Sequence, residues 1–302
     1  MRVVSVLPSA TEIVFALGHG DELVGRSAEC DYPPEAGSLP VVMRPRTSDA
    51  DRTSREIDER VQRVRGEGQS LYELDIDLLR KLQPDLLLTQ DLCGVCSVTE
   101  AEVATACATA DVAPLIVSLT PRTLSNVWEN VETVARALDD PARGRELSRR
   151  LRDRTAAPRV RGPRPRVAIV EWLDPPILAG LWAPDIVRAA GGSILGGRRG
   201  KPGIRSDWST VSDAHPDLVV LSPCSFSVER SRRELERESL SRAIAQVRAP
   251  RGVFIADEAY FSRPGPRLAD GVDLVRHLLS DSPWQPPLPV ELLVERTVGA
   301  AT

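Results

Sequence analysis

Cys93 and Cys96 are separated by two residues in Leu92-Cys93-Gly94-Val95-Cys96. A pair at that spacing can hold zinc or an iron–sulfur cluster, can cycle as a dithiol, or can be an ordinary polar turn. Cys30, in Glu29-Cys30-Asp31-Tyr32, and Cys224, in Ser222-Pro223-Cys224, each follow a separate apolar run. Four thiols brought together would complete a tetrahedral sulfur site, so Cys30, Cys93, Cys96 and Cys224 are the candidate metal ligands. Cys107 lies between Ala106 and Ala108 and reads as a small buried residue. No histidine strengthens the set, because His19 follows a helix end, His215 precedes Pro216 and His277 falls in the last helix.

A second group could hold an organic ligand. Glu171, Trp172 and Asp174 follow the apolar run Val167–Val170. An acidic pair there could ligate a hard metal, orient a polar ligand or move a proton, with a capped turn as the plain alternative. Aromatic residues make up only 4% of the chain, yet Tyr32, Trp172, Phe226 and Tyr260 all follow strand-like runs. Their rings suit a flat ligand by stacking. Arg263 could receive a carboxylate or phosphate, or simply anchor its loop. With Glu29 and Asp31, these residues make up the candidate ligand set. Gly191-Gly192 and Gly196-Gly197, with Arg198, Arg199 and Lys201, could cradle an anion, although a mobile surface loop is the plainer reading.

These residues need a scaffold that gathers them. Val3–Leu7, Leu86–Thr89, Leu115–Ser118, Arg166–Val170, Leu218–Leu221 and Val253–Ala256 read as short buried strands. Helical patterns lie between them. Pro8-Ser9-Ala10-Thr11-Glu12 reads as a helix start with Ser9 as N-cap and Glu12 closing a capping box. Residues 123–154 form the longest helical pattern, which Asp140-Pro141 either kinks or divides. The second half repeats the first in outline: His215-Pro216-Asp217-Leu218-Val219-Val220-Leu221 echoes Gln83-Pro84-Asp85-Leu86-Leu87-Leu88-Thr89. In each case a cysteine lies just beyond the strand. The expected fold is α/β, with two Rossmann-like lobes bridged by one long helix and a ligand cleft between the lobes. The expected divisions are 1–120, 121–158 and 159–302. In such sheets the carboxyl ends of parallel strands share one edge, where ligands bind.

Composition narrows the function. A length of 302 residues, 42% apolar and 27% charged content belong to an ordinary globular chain. The net charge of −4 gives no electrostatic reason to expect nucleic acid. No apolar run reaches the roughly 20 residues of a membrane span. Met1-Arg2 runs directly into the first strand with no leader, so the expected location is cytoplasmic and the cysteines are expected to be reduced or metal-bound. No ABC permease partner is expected on the same ground.

Ser5-Val6-Leu7-Pro8-Ser9-Ala10-Thr11-Glu12 with Ala16-Leu17-Gly18, then Leu23-Val24-Gly25 and Leu82-Gln83-Pro84-Asp85-Leu86-Leu87-Leu88-Thr89, carry a resemblance. The chain resembles the helical-backbone metal-receptor superfamily of substrate-binding proteins. The match is strongest with the cobalamin (vitamin B12)-binding group of ABC-transporter substrate-binding proteins, the class III periplasmic-binding-protein fold. It also resembles a cysteine-rich subgroup without a signal peptide. The resemblance implies two lobes joined by a rigid helix, with a ligand clamped between them. The resulting expectation is a small-molecule-binding protein for cobalamin or another metal complex, with a cysteine-lined metal site holding an iron–sulfur cluster or zinc. The alternative is a metal- or thiol-dependent enzyme that reuses the cleft. No catalytic residue is assigned.

Overall fold

Apolar runs of four to five residues become parallel strands, and the amphipathic segments between them become the helices that cover the sheets. The computed structural model describes residues 1–92, 98–158, 162–280 and 283–294. The chain divides into two compact units. The first comprises Met1–Arg52, Glu56–Pro121 and Ser125–Arg152; the second comprises Thr53–Arg55, Arg122–Leu124 and Asp153–Thr302.

The first unit is built on strands β1 (Val3–Ser5), β2 (Leu23–Ser27), β3 (Val41–Pro45), β4 (Tyr72–Leu74), β5 (Leu86–Thr89) and β6 (Leu115–Ser118). Its helices are α1 (Pro8–Ala16), α2 (Ser54–Gly66), α3 (Ile76–Leu82), α4 (Glu100–Ala110), α5 (Leu124–Ala137) and α6 (Pro141–Arg154), although Ser54, Arg55, Leu124, Asp153 and Arg154 fall in the second unit. The strands form one sheet in the order β4-β3-β2-β1-β5-β6, parallel except for β4. The chain winds outward from β1 to β4, then crosses back to β5. This reversal puts a topological switch point at the carboxyl ends of β1 and β5, where an open α/β sheet leaves a crevice. Val4, Val6, Leu79, Leu87 and Val103 form the core on one face, all fully excluded from solvent.

Two local expectations change. Helix α1 begins one residue before Ser9: extended Leu7 is the N-cap, Pro8 opens the helix, and no side chain caps it. Proline at the first helical position already has the helical φ and lacks the N–H a cap would satisfy. Ser9 and Glu12, expected as a capping box, are instead buried. Of the kink and the division left open at Asp140-Pro141, the structure takes the division: the one long bridging helix is two, α5 and α6, separated where Asp139 turns into the left-handed region and Pro141 starts afresh. The Ser148 hydroxyl donates to the carbonyl of Trp128 (3.0 Å) and ties α6 to α5.

The second unit carries β7 (Arg166–Leu173), β8 (Pro176–Leu178), β9 (Ser193–Ile194), β10 (Ile204–Arg205), β11 (Leu218–Leu221), β12 (Val253–Ala256) and β13 (Val290–Val294). Its helices are α7 (Ala183–Ala189), α8 (Trp208–Asp213), α9 (Val228–Leu235), α10 (Glu238–Ala245) and α11 (Leu268–Ser280). Strands β7, β11 and β12 are parallel, and β13 closes one side antiparallel to β12. On its other side β7 pairs with β9 along its first residues and with the β8 hairpin along its last. All four residues of β11 and of β12 are buried, as continuous apolar strands in a covered sheet must be. No helix among the described residues is long and apolar enough to cross a membrane.

Candidate functional site

In the second unit, the ends of β7, β11 and β12 assemble a polar edge over the apolar strands. The Cys224 N–H donates to the carbonyl of Glu171 (3.1 Å), and the Ser222 hydroxyl donates to the carbonyl of Asp257 (3.2 Å). These bonds stitch the three strand ends together and place Glu171, Trp172, Cys224, Phe226 and Arg263 on one edge. Glu258 organises the edge. One oxygen of its carboxylate accepts from the Ser225 N–H (2.5 Å), and the other accepts from Arg263 Nη2 (2.6 Å) and Nε (3.1 Å). Ser225 is held in the left-handed region, with a φ of 63°.

The aromatic groups divide into two kinds. Trp172 is half-buried and packs edge-to-face on Phe226, with ring centroids 5.3 Å apart. Its indole Nε1–H donates to the Ser54 carbonyl (3.2 Å), and the Arg230 guanidinium lies over the Phe226 ring, 3.8 Å from its centre, in a cation–π contact. Phe226 and Tyr260, expected as stacking surfaces, are shielded instead, with 1% and 0% of their surface exposed. The Tyr260 hydroxyl donates to the Leu288 carbonyl (2.9 Å) and accepts from the Leu288 N–H (3.0 Å), fixing the segment that leads into β13. Burial pushes the Tyr260 phenol up to about 12. Both rings are packed inside rather than presented to a ligand, Tyr260 held by Leu288 and Phe226 by Trp172 and Arg230. Asp174 is paired with Arg55, accepting from Nη2 (2.7 Å) and Nε (3.2 Å). Ser54 in turn donates from its N–H (2.9 Å) and hydroxyl (2.6 Å) to Glu234.

The first unit offers a different chemistry at the carboxyl end of β1. The Thr11 hydroxyl lies 2.9 Å from the Ser5 hydroxyl and 3.1 Å from the Cys30 sulfur, and the Ser5 hydroxyl donates to the Leu7 carbonyl (3.0 Å). Cys30 is fully buried within this network, its thiol facing the Ser5 carbonyl at 3.8 Å. The expected ligand thiol is thus turned into the unit, because the chain after β2 folds back onto the start of α1. Glu29 is half-buried, while Asp31 and Tyr32 are exposed. Cys93 and Cys96 lie outside the described residues. Among the described residues, no group of three or more His, Cys, Asp or Glu could hold a metal ion. Cys224 in the second unit is half-exposed.

Comparison with known proteins places this architecture. The Periplasmic binding protein family matches residues 3–249. The chain belongs to that family. One relative, the Vitamin B12-binding protein of Vibrio parahaemolyticus serotype O3:K6, is 28% identical over 156 residues. The alignment takes in 52% of this chain and 45% of the relative, so the chain spans under half the length of that curated protein. The Vitamin B12-binding protein of Photorhabdus laumondii subsp. laumondii is 51% identical over 39 residues, 13% of this chain and 14% of that one. Among solved structures, a periplasmic heme-binding protein from Pseudomonas aeruginosa superimposes with a TM-score of 0.70 at 21% identity, covering 98% of this chain and 99% of that one. The periplasmic vitamin B12-binding protein of Vibrio cholerae gives 0.59 at 21% identity, covering 94% and 98%. Both structures share the fold of this chain.

Sequence reasoning missed Glu258, Ser225 and Arg230 at the second unit's edge. The signal for Glu258 was available, since Asp257-Glu258 directly follows the apolar run Val253–Ala256. Ser54 and Arg55 carried no such signal, because only the tertiary fold brings them to Trp172 and Asp174.

Proposed function

We propose that the protein is a substrate-binding protein whose ligand is cobalamin or a related flat, metal-centred macrocycle. The observation that carries this reading is the half-buried Trp172 at the carboxyl end of β7, locked by its indole N–H and by Phe226. A ring fixed in this way can stack on a macrocycle with little loss of side-chain entropy. The vitamin B12-binding relatives support the ligand class. Glu171, Arg263 and Cys224 stand beside Trp172 and offer polar groups to a ligand's periphery. Glu29, Asp31 and Tyr32 of the first unit belong to the same proposal. Cytoplasmic residence is part of the reading, in which the half-exposed Cys224 is kept reduced.

Calorimetric titration with cyanocobalamin tests it. The expected result is saturable binding that Trp172→Ala weakens by about 1–3 kcal/mol, the worth of one stacked, buried ring. Absence of binding by the unaltered protein removes cobalamin as the ligand. Metal analysis after anaerobic purification tests the thiol site, which predicts bound iron or zinc that falls when Cys224 is replaced by Ser.

A further inference from the structure

Between Pro176 and Ser206 the chain carries Arg188, Arg198, Arg199, Lys201 and Arg205 against a single carboxylate, Asp185, in a protein whose net charge is −4. Its glycine-rich part, from Gly191 to Lys201, reads from sequence as an anion cradle or a mobile surface loop, and the structure laces it down. The Leu181 N–H donates to the Lys201 carbonyl (2.6 Å), and the Gly200 N–H donates back to the Leu181 carbonyl (2.9 Å). The backbones approach so closely that a Cβ added at Gly197 would lie 1.9 Å from the Ala179 carbonyl oxygen, and one at Gly180 would lie 2.2 Å from that of Lys201. Only glycine allows this contact, so the cations are presented from a fixed platform.

Asp185 is buried, and both of its oxygens are engaged. One accepts from the Leu124 N–H (3.2 Å); the other faces Arg199 Nε at 2.6 Å and Arg188 Nη2 at 3.9 Å. Two guanidiniums thus converge on one carboxylate oxygen, which neutralises only one of them. Both remain largely exposed, at 66% and 56% for the Arg188 and Arg199 side chains. Arg198 and Lys201, which flank Arg199 in the chain and are joined by a backbone hydrogen bond (3.1 Å), are exposed and have no carboxylate partner among the described residues. Arg122, also exposed, stands two residues before the Leu124 that Asp185 holds.

We propose that this face is a binding site for a phosphate group, carried either by a small soluble phosphate compound or by a phospholipid headgroup. Arginine forks with unused donors match a tetrahedral oxyanion better than they match isolated carboxylates. The platform supplies the convergence without ordering a loop on binding.

The test uses the full chain at low ionic strength. Inorganic pyrophosphate is titrated calorimetrically, and sedimentation is measured with vesicles of phosphatidylcholine alone or mixed with phosphatidylglycerol. The triple substitution Arg188→Ala, Arg198→Ala, Lys201→Ala spares the ion pair of Arg199 with the buried Asp185, and circular dichroism checks that it folds. The expected result is saturable binding that added salt weakens and that the triple variant loses by about tenfold or more. Pyrophosphate binding identifies a soluble source; binding only to phosphatidylglycerol vesicles identifies a lipid one. No binding to either probe, or equal binding by the triple variant, overturns the proposal. Retention on polyglutamate without a response to phosphate overturns it in favour of an acidic protein partner.

Discussion

Replacing Glu258 by Ala is expected to cost about 2–4 kcal/mol of folding stability. Its carboxylate accepts one backbone and two guanidinium hydrogen bonds, and the Glu258 and Arg263 side chains are only 13% and 12% exposed. Breaking a buried ion pair by removing one partner costs about 3–5 kcal/mol, because the other charge is left unpaired. The remaining exposure lets some water reach Arg263 and lowers the expected cost. Glu258→Gln keeps one carbonyl acceptor for Ser225 or Arg263, so its cost should be smaller, about 1–2 kcal/mol. Urea denaturation is the assay, with a shift in midpoint at constant slope. Adding Arg263→Met to Glu258→Gln removes both charges, so the double variant should be more stable than the two single losses predict, by at least about 1 kcal/mol. An Ala variant within about 0.5 kcal/mol of the parent, or an additive cycle, would refute the role given to Glu258.

Tyr260→Phe should cost about 1–2 kcal/mol near neutral pH, since Leu288 loses the partner of both its N–H and its carbonyl. With the Tyr260 phenol raised to about 12 by burial, the folded state holds that proton more tightly than the unfolded chain. Stability should therefore fall as pH rises from about 10 to about 12, and the Phe variant should lose that slope in alkaline denaturation. At the acid end, the hydrogen bond from His19 (2.8 Å) is the main cause that lowers Glu22, while the Arg143 N–H and then His19 lower Asp140. Depressed carboxylates contribute stability that is present above their unfolded values and lost as pH falls through the folded ones. His19→Ala should therefore flatten the decline below about pH 5, followed by chemical denaturation across that range. Gly197→Ala should lower stability by at least about 2 kcal/mol in thermal melts, because its new Cβ meets the Ala179 carbonyl.

The strands at the centres of the sheets were legible because a strand covered on both faces must be apolar throughout. Leu86–Thr89, Leu218–Leu221 and Val253–Ala256 are strands with the bounds their apolar runs imply. The repeat between the two halves and the punctuation by proline likewise follow from local chemistry, and so does the fold class. The peripheral strands β3, β4, β8, β9 and β10 were not legible, since short, half-exposed segments bury too little to impose a period on their residue types. The orientation of the site residues was also beyond the sequence. Cys30 and Tyr260 follow apolar runs in the sequence just as Trp172 does, yet the first two are sealed and the third is half-open. What covers a residue is decided by segments distant in the chain, such as Leu288 over Tyr260 and Ser54 beside Trp172. Sequence determines which residues reach a strand end, because strand periodicity and apolar burial are local. Only tertiary packing determines which of them keep a face free, because that depends on contacts formed across 28 residues for Tyr260 and 118 for Trp172.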